Sequence, residues 1–234
     1  MAMNNSIKSS IIVLAIISSS GSSAASFIPP STDTDYNYAG IRAGGVFPVN
    51  IQGNTDLQNS SGDNSYTAGI FVGRKIQDRF TIELEYMNRG ESDINSSYSV
   101  AVVRDSWAVK SDTFMLNMMI DVMTDTKARP YFKVGAGASV NKSNPYVSVN
   151  DEKTQTWGGR TVTDFAWQVG VGVDMPVSKM VSAIFEYSYV DHGQFKTETG
   201  YSEVDDQGLS YTKDSTQTGK LRDQSLTAGL KFKF

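Results

Sequence analysis

The feature that most constrains this chain is an alternation of side-chain character with a period of two. Between Thr163 and Met175, alternate positions hold Phe165, Trp167 and a run of valines, whereas the positions between them hold Asp164, Gln168 and small residues. Successive side chains of a β-strand point to opposite sides, so this period indicates strands with two different faces. The segments 80–87 and 113–122 repeat the pattern. It predicts Trp167 and Leu116 on one face and Gln168 and Asn117 on the other.

Eight such segments can be counted, and each is about as long as a tilted strand needs to cross a bilayer. They lie at about 37–47, 65–74, 79–90, 110–122, 130–141, 162–175, 180–191 and 222–234. Their polar faces are rich in glycine, which suits the crowded interior of a narrow barrel. The sequence therefore predicts an all-β protein, an eight-stranded antiparallel up-and-down transmembrane β-barrel.

The connections between these segments alternate in length. Those at 75–78, 123–129 and 176–179 are short, whereas those at 48–64, 91–109, 142–161 and 192–221 are long and polar. Barrels of the bacterial outer membrane have short periplasmic turns and long external loops. With both chain ends in the periplasm, this topology predicts three short turns and four loops at the cell surface.

Aromatic residues of the apolar face fall near the two ends of the predicted strands. One group lies toward the long connections: Phe47, Tyr66, Tyr86, Phe114, Phe165, Trp167, Tyr187 and Tyr189. The other lies toward the short turns: Phe80, Phe132, Phe232 and Phe234. Aromatic rings are favoured at membrane interfaces. The alternative, a soluble β-sandwich or lipocalin-like barrel, also has alternating strands but gives no reason for two aromatic belts.

The first 25 residues resemble an export signal. Lys8 supplies a positive start, Ile11 to Ile17 form an apolar run, and Ser23-Ala24-Ala25 supply small residues at a cleavage site. The apolar run is too short for a membrane-spanning helix, which needs about 20 residues. The predicted organisation is a signal peptide at 1–25, a periplasmic stub at 26–36 and the barrel at 37–234.

Composition limits the chemistry that is available. The chain has no cysteine, a single histidine and a formal net charge of −4, which excludes thiolate metal sites and argues against nucleic-acid binding. His192 lacks a nearby serine in sequence and is expected to be a loop residue at a turn. The acidic group Glu203, Asp205 and Asp206 lacks the spacing of a calcium loop. We expect no cofactor, no metal and no enzymatic activity.

The small polar face also carries charges of both signs. The cations are Arg42, Arg89, Lys133, Lys231 and Lys233, and the carboxylates are Glu83, Glu85, Asp121, Asp174 and Glu186. An unpaired buried charge is costly, so a balanced set predicts a paired network that fills the lumen. We expect Glu186 to pair with Lys231 or Arg42. The alternative is a conducting or gated pore.

Two stretches resemble known outer-membrane barrels. The C-terminal Leu226–Phe234, with Leu230, Phe232 and Phe234 as its last alternating apolar residues, resembles the signal recognised by the barrel-assembly machinery. Phe185–Gly193 is similar to the penultimate strand of small opacity-type and OmpA-like barrels, in which Glu-x-x-Tyr leads into Asp-x-Gly. The overall plan resembles the barrel adhesins of rickettsia-like bacteria. The resemblance implies surface exposure and binding of host-cell or serum proteins. The peptidoglycan-binding domain of full OmpA-like proteins is not expected here, so a cell-wall anchoring role is not implied.

Three hypotheses of function follow. The long connections exceed what closing a hairpin needs, which favours the first hypothesis over the second. The first is adhesion through the external loops, chiefly the fourth, where Lys196 adds charge to three aromatic residues that are expected to be exposed, Phe195, Tyr201 and Tyr211. The second is a structural envelope protein or a low-conductance, porin-like barrel whose loops only shield the surface. The third is an outer-membrane enzyme, which lacks a catalytic set. The predicted partners are outer-membrane lipid, lipopolysaccharide, the barrel-assembly machinery and host or serum proteins.

Overall fold

The computed structural model describes residues 35–49, 52–53, 61–77, 79–97, 104–123, 128–150, 153–205, 207–208, 210–214, 216 and 218–234. The predicted signal peptide at 1–25 lies outside these residues, as does the predicted stub at 26–36 except for its last two positions. Within the described part of the chain, no helix is long and apolar enough to cross a membrane.

Eight long strands form the body of the fold: β1 (Tyr36–Pro48), β4 (Ser65–Ile76), β5 (Phe80–Ser97), β6 (Arg104–Asp121), β7 (Arg129–Ser143), β10 (Thr161–Pro176), β11 (Val181–Lys196) and β14 (Thr218–Lys233). Six short strands lie between them: β2 (Gln52–Gly53), β3 (Ser61–Gly62), β8 (Tyr146–Asn150), β9 (Lys153–Trp157), β12 (Tyr201–Asp205) and β13 (Ser210–Lys213).

The long strands form one closed antiparallel barrel. Each pairs with the next along the chain, and β14 returns to pair with β1 from Tyr38–Lys233 to Pro48–Asp223. Closure leaves no unpaired sheet edge, which a lipid environment demands because it offers no water to backbone groups. The predicted eight-stranded antiparallel barrel is confirmed.

The two faces of the wall differ in chemistry as the alternation predicts. Leu116 is 55% exposed on the outer face, whereas its neighbour Asn117 is 1% exposed in the lumen. Trp167 and Gln168 divide in the same way. The outer face is apolar and the lumen is polar, the reverse of a soluble barrel with an apolar core.

Outward aromatic residues form rows near both ends of the barrel. Near the long connections, Tyr86, Phe114 and Phe165 follow one cross-strand row, and the ring centroids of Tyr86 and Phe114 are 4.9 Å apart. At the opposite end, Phe80 and Phe132 flank Ile120 in register. Two separate rows suit two membrane interfaces.

The strands extend beyond their predicted ends on the side of the long connections. β5 continues to Ser97 and β6 begins at Arg104, inside the stretch 91–109 that was predicted to be a loop. Polar side chains do not by themselves end a strand, because the ladder hydrogen bonds join backbone groups. A β-bulge between Arg89 and Ser92 accommodates the extension.

The third and fourth long connections also contain strands. The β8–β9 and β12–β13 hairpins join through β9 and β12 into a second antiparallel sheet in the order β13-β12-β9-β8, which we call the loop sheet. The predicted long loops at 142–161 and 192–221 are therefore partly regular structure.

Aromatic residues fill the lumen near the short turns. Tyr38 and Phe71 pack edge-to-face, with ring centroids 5.9 Å apart, and Ile184 completes the cluster. Gly40 makes room for them, since a Cβ there would lie 2.2 Å from Phe71 Cζ and 2.4 Å from the Leu230 carbonyl oxygen. Glycine at this position is a consequence of close packing in a narrow barrel.

Candidate functional site

Arg42 on β1 occupies the middle of the lumen and contacts three carboxylates. Its Nη2 donates to Glu83 Oε1 at 2.7 Å, and its Nη1 lies 2.9 Å from Glu186 Oε1 and 3.0 Å from Glu85 Oε2. All four side chains are almost fully shielded from solvent. The alternation of β1, β5 and β11 points these residues inward, and the strand register brings them to one level.

Lys133 on β7 completes this central cluster, which we define as Arg42, Glu83, Glu85, Lys133 and Glu186. Its Nζ lies 3.3 Å from Glu85 Oε2 and also contacts Glu186 Oε1. Neutral donors reach the other carboxylate oxygens: Tyr38 to Glu83 at 2.9 Å, Tyr131 to Glu186 at 2.8 Å and Gln168 to Glu85 at 3.1 Å. Ion pairs and hydrogen bonds together offset the cost of burying these charges.

Two further ion pairs lie nearer the short turns. Lys231 contacts Asp174 rather than Glu186, because Lys231 stands opposite Ser182 in the register of β11 and β14 whereas Glu186 stands opposite Thr227. Of the two partners expected for Glu186, the structure pairs it with Arg42. Lys75 contacts Asp121. Lys75 was assigned to a turn, but β4 continues to Ile76 and turns this side chain into the lumen.

His192 lies in the lumen near the long connections, so the prediction of a loop residue is wrong. It is 4% exposed, its Nε2 is 2.9 Å from Asp223 Oδ2, and its Nδ1 is 3.0 Å from Thr113 Oγ1 and 3.2 Å from Ser111 Oγ. Arg89 Nε lies 2.8 Å from the same Asp223 oxygen. His192 continues the inward even positions of β11, and the register shifts by a β-bulge between Asp191 and Gln194.

An acid, an imidazole and a hydroxyl in contact are the elements of a nucleophilic site. Here both hydroxyls are buried, and Ser111 Oγ also donates to Asn141 Oδ1 at 2.8 Å. The adjoining cavity of about 30 Å³ holds on the order of two water molecules, too few for a substrate. Ser111, Thr113 and Asp223 all occupy inward positions of the alternation, which is the signal by which the sequence could have revealed this cluster.

The loop sheet has one covered face and one exposed face. On the covered face, Trp157 and Glu203 are buried, and Gln155 Nε2 donates to Glu203 Oε2 at 3.0 Å. Among the side chains that the structure describes, the exposed face has no charge and presents small or β-branched residues: Thr156, Ser202, Val204, Ser210 and Thr212. On the outer strand β13, Tyr211 stands opposite Glu203 and therefore points to the other face.

The four predicted binding residues have different environments. Phe195 is 0% exposed and lies opposite Gly219 within the β11–β14 ladder, so the expectation of an exposed aromatic is wrong. Lys196 is half-buried, and Tyr211 is 47% exposed. Tyr201 begins β12, where it pairs with Trp157 and Lys213.

The residues of the predicted assembly signal occupy the outer face of β14 or follow its end. Leu230, Phe232 and Phe234 are all exposed there. Among the residues that have been described, no group of three or more histidine, aspartate or glutamate side chains is arranged to hold a metal ion. Of the acidic group considered for calcium, Glu203 bonds to Gln155, and Asp206 lies outside the described residues.

Comparison with known proteins identifies relatives in the outer membrane. A family described as "Outer membrane protein beta-barrel domain" matches residues 11–234. The chain is 26% identical to outer membrane protein PagN of Salmonella typhimurium over 55% of its length and 58% of PagN. It is also 26% identical to a protein of Rickettsia conorii named as an adhesin, over 78% of each chain. The match to PagN thus spans little more than half of that protein.

Solved structures agree with the fold. The outer membrane protein OprG of Pseudomonas aeruginosa superposes with a TM-score of 0.52 at 15% identity, covering 86% of this chain and 95% of OprG. A major outer membrane protein of Thermus thermophilus gives 0.51 at 13% identity, covering 85% and 99%. These identities support the fold alone. The closed barrel and the match along almost the whole sequence lead to one conclusion: this chain belongs to the outer membrane protein beta-barrel domain family.

Proposed function

We propose that this protein is an adhesin of the bacterial surface, with the barrel as its anchor and the long connections as its binding region. The observation that carries the proposal is the loop sheet, which the third and fourth long connections build together. Closing a hairpin does not require one connection to pair with another, so the pairing of these two connections indicates a further role. The Rickettsia conorii relative is named as an adhesin, which supports the same interpretation, and the name of PagN supports the outer-membrane anchor.

The proposed orientation follows the rule for outer-membrane barrels, in which short turns face the periplasm and long connections face outward. Outer-membrane lipid and lipopolysaccharide then surround the apolar wall between the aromatic rows. We propose that the barrel-assembly machinery recognises Leu230, Phe232 and Phe234 before the barrel inserts into the membrane. The loop sheet, in this orientation, stands at the cell surface.

The exposed face of the loop sheet suits contact with a macromolecule. It carries no charge, so a partner would cover it without desolvating ions. Tyr211, a residue type that is enriched in binding hot spots, stands opposite Glu203 and points to the other face, but it is 47% exposed on the edge strand and borders the uncharged one. We propose this face, rather than Phe195, as the centre of binding.

A second candidate is a structural envelope protein or a low-conductance barrel. The observation that favours it is the filled lumen, where the central cluster leaves no charge without a partner. We expect only small and rare conductances in planar bilayers; a large steady conductance would contradict a filled lumen. We propose no catalytic activity, since the hydroxyls next to His192 have no access to a substrate.

The deciding experiment removes the loop sheet and keeps the barrel. Lys196 and Thr218 face each other in register, so an Asn-Gly turn can replace 197–217 between them. A second variant replaces 143–160 between Lys142 and Thr161, which are also paired. We expect both variants to lose most adhesion of displaying bacteria to host cells, because each removes half of the sheet.

A matched control replaces 98–103 with the same turn, which shortens another long connection and leaves the loop sheet intact. All variants must show different mobility in boiled and unboiled gel samples, the mark of a closed barrel. Full adhesion by both sheet-less variants would favour the structural role.

A further inference from the structure

The lumen mouth at the short-turn end carries more positive than negative charge. Its inward side chains include four cations and two carboxylates, and they come from β1, β4, β6, β7, β10 and β14: Tyr36, Lys75, Asp121, Arg129, Asp174, Lys231 and Lys233. The central cluster has the opposite balance, with two cations and three carboxylates. Counted over these described inward side chains, the mouth therefore has an excess of two positive charges.

Each of the two carboxylates of the mouth contacts a lysine, although the second oxygen of Asp174, Oδ1, makes no hydrogen bond with the described residues. Asp121 contacts Lys75, and Asp174 contacts Lys231 although Arg129 stands opposite Asp174 in register. Within the described chain, neither Arg129 nor Lys233 contacts a carboxylate. Both half-buried cations thus lie near Asp174 but form no salt bridge with it.

Hydrogen-bond donors at the same place also lack partners. Arg129 Nε and the Tyr36 hydroxyl are buried atoms without a hydrogen bond in the described structure. Lys233 Nζ lies 5.1 Å from the centroid of the Tyr36 ring. Arg129 is within electrostatic range of both Tyr36 and Lys233. Buried donors are seldom left unsatisfied, so these atoms indicate an acceptor from outside the chain.

We propose that this mouth is a binding site for a small oxyanion of the phosphate or carboxylate class. Arg129 supplies the planar guanidinium that suits such an anion, Lys233 supplies a second charge, and Tyr36 supplies a neutral donor. Water would satisfy the donors but would leave the charge excess in place. The site is independent of the adhesive role, because it lies at the opposite end of the barrel from the loop sheet.

The test titrates sodium phosphate into the full-length refolded protein in detergent micelles, with sodium chloride lowered to hold ionic strength constant. We expect saturable NMR shifts of the Arg129 Nε–H and the Tyr36 amide. Arg129→Gln and Lys233→Gln should each weaken phosphate binding at least tenfold. Lys179→Gln, which changes an exposed lysine in the short turn between β10 and β11, should leave the affinity unchanged.

Acetate in a parallel titration distinguishes a carboxylate site from a phosphate site. Tyr36→Phe removes only the hydroxyl and serves as a second variant if the charge changes impair folding; we expect it to weaken binding several-fold. Shifts that do not saturate, or equal phosphate affinity in Arg129→Gln and the parent, would overturn the proposal. Variants that lose phosphate binding and keep adhesion would leave the proposed adhesin function unaffected.

Discussion

The lumen and the loop sheet are built from the same element, an antiparallel sheet with two faces, yet they use charge in opposite ways. The lumen concentrates ions such as Arg42, Lys133 and Glu186 where solvent does not reach them. The loop sheet presents uncharged Thr156, Val204 and Thr212 to solvent. Polar side chains of the central cluster have one another as partners, so a substitution there removes contacts from several neighbouring side chains. Residues of the exposed face have water as a partner, so they are free to serve binding.

The largest expected effect tests the lumen side of this comparison. Glu186→Ala should destabilise the barrel by about 3–5 kcal/mol, because it leaves Arg42 and Lys133 buried with fewer partners. The measurement is denaturant unfolding of the protein in lipid vesicles, followed by the shift between folded and unfolded gel mobility.

Replacing Lys133 by Met in the Glu186→Ala background should recover part of this loss, since the pair is then removed together. If the changes in the free energy of unfolding from the two substitutions simply add, the central cluster does not act as a network. Lys231→Met serves as the control, because Lys231 contacts Asp174 and should add its own cost to that of Glu186→Ala.

The sequence predicted the barrel well because the period of two propagates along a strand without further information. Trp167 and Gln168 could be assigned to faces from the alternation alone. The prediction failed beyond Asp191, where a loop was expected but β11 continues to Lys196 through a β-bulge. Along β11 the even positions up to Val190 point inward, but after the bulge at Asp191/Gln194 the odd position Phe195 points inward instead. A one-residue shift reverses every assignment beyond it.

The sequence also did not predict which charged residues pair across strands. Lys231 and Glu186 both occupy inward positions, yet the register of β11 and β14 sets them at different heights in the lumen. Register depends on turns and bulges that no local pattern specifies. The loop sheet was missed for a related reason, since β9 and β12 belong to different connections and are short, polar and far apart in sequence.

A second prediction concerns packing in the lumen. Gly40→Ala should cost about 1–3 kcal/mol, because its Cβ would overlap the Phe71 ring and the backbone of Leu230. Combining it with Phe71→Leu should relieve the overlap with the ring and not that with the backbone. Unchanged stability of the single variant in vesicle unfolding would mean that the aromatic cluster is loosely packed.

A third and smaller effect is expected at a glycine of the fourth long connection. Gly208 has φ of +77°, and no described atom lies within 4 Å of a Cβ placed on it. Gly208→Ala should therefore cost about 1 kcal/mol through backbone strain alone. Gly208→Asn should cost less, since asparagine tolerates this conformation. Equal costs for alanine and asparagine would point to a steric cause instead, of the kind that operates at Gly40.

A substitution on the exposed face of the loop sheet should cause the smallest change in the free energy of unfolding. Its effect on adhesion should nevertheless be large. Thr212→Lys places a charge on a solvated strand, so the free energy of unfolding should change by no more than about 0.5 kcal/mol. Adhesion should nevertheless fall, because a partner that covers this face would have to bury the new ammonium group. Val177→Lys, at an exposed position in the turn between β10 and β11, is the matched control and should affect neither quantity. If Thr212→Lys lowers adhesion only in proportion to a loss of folded protein, the contrast between a stabilising lumen and a binding loop sheet would fail.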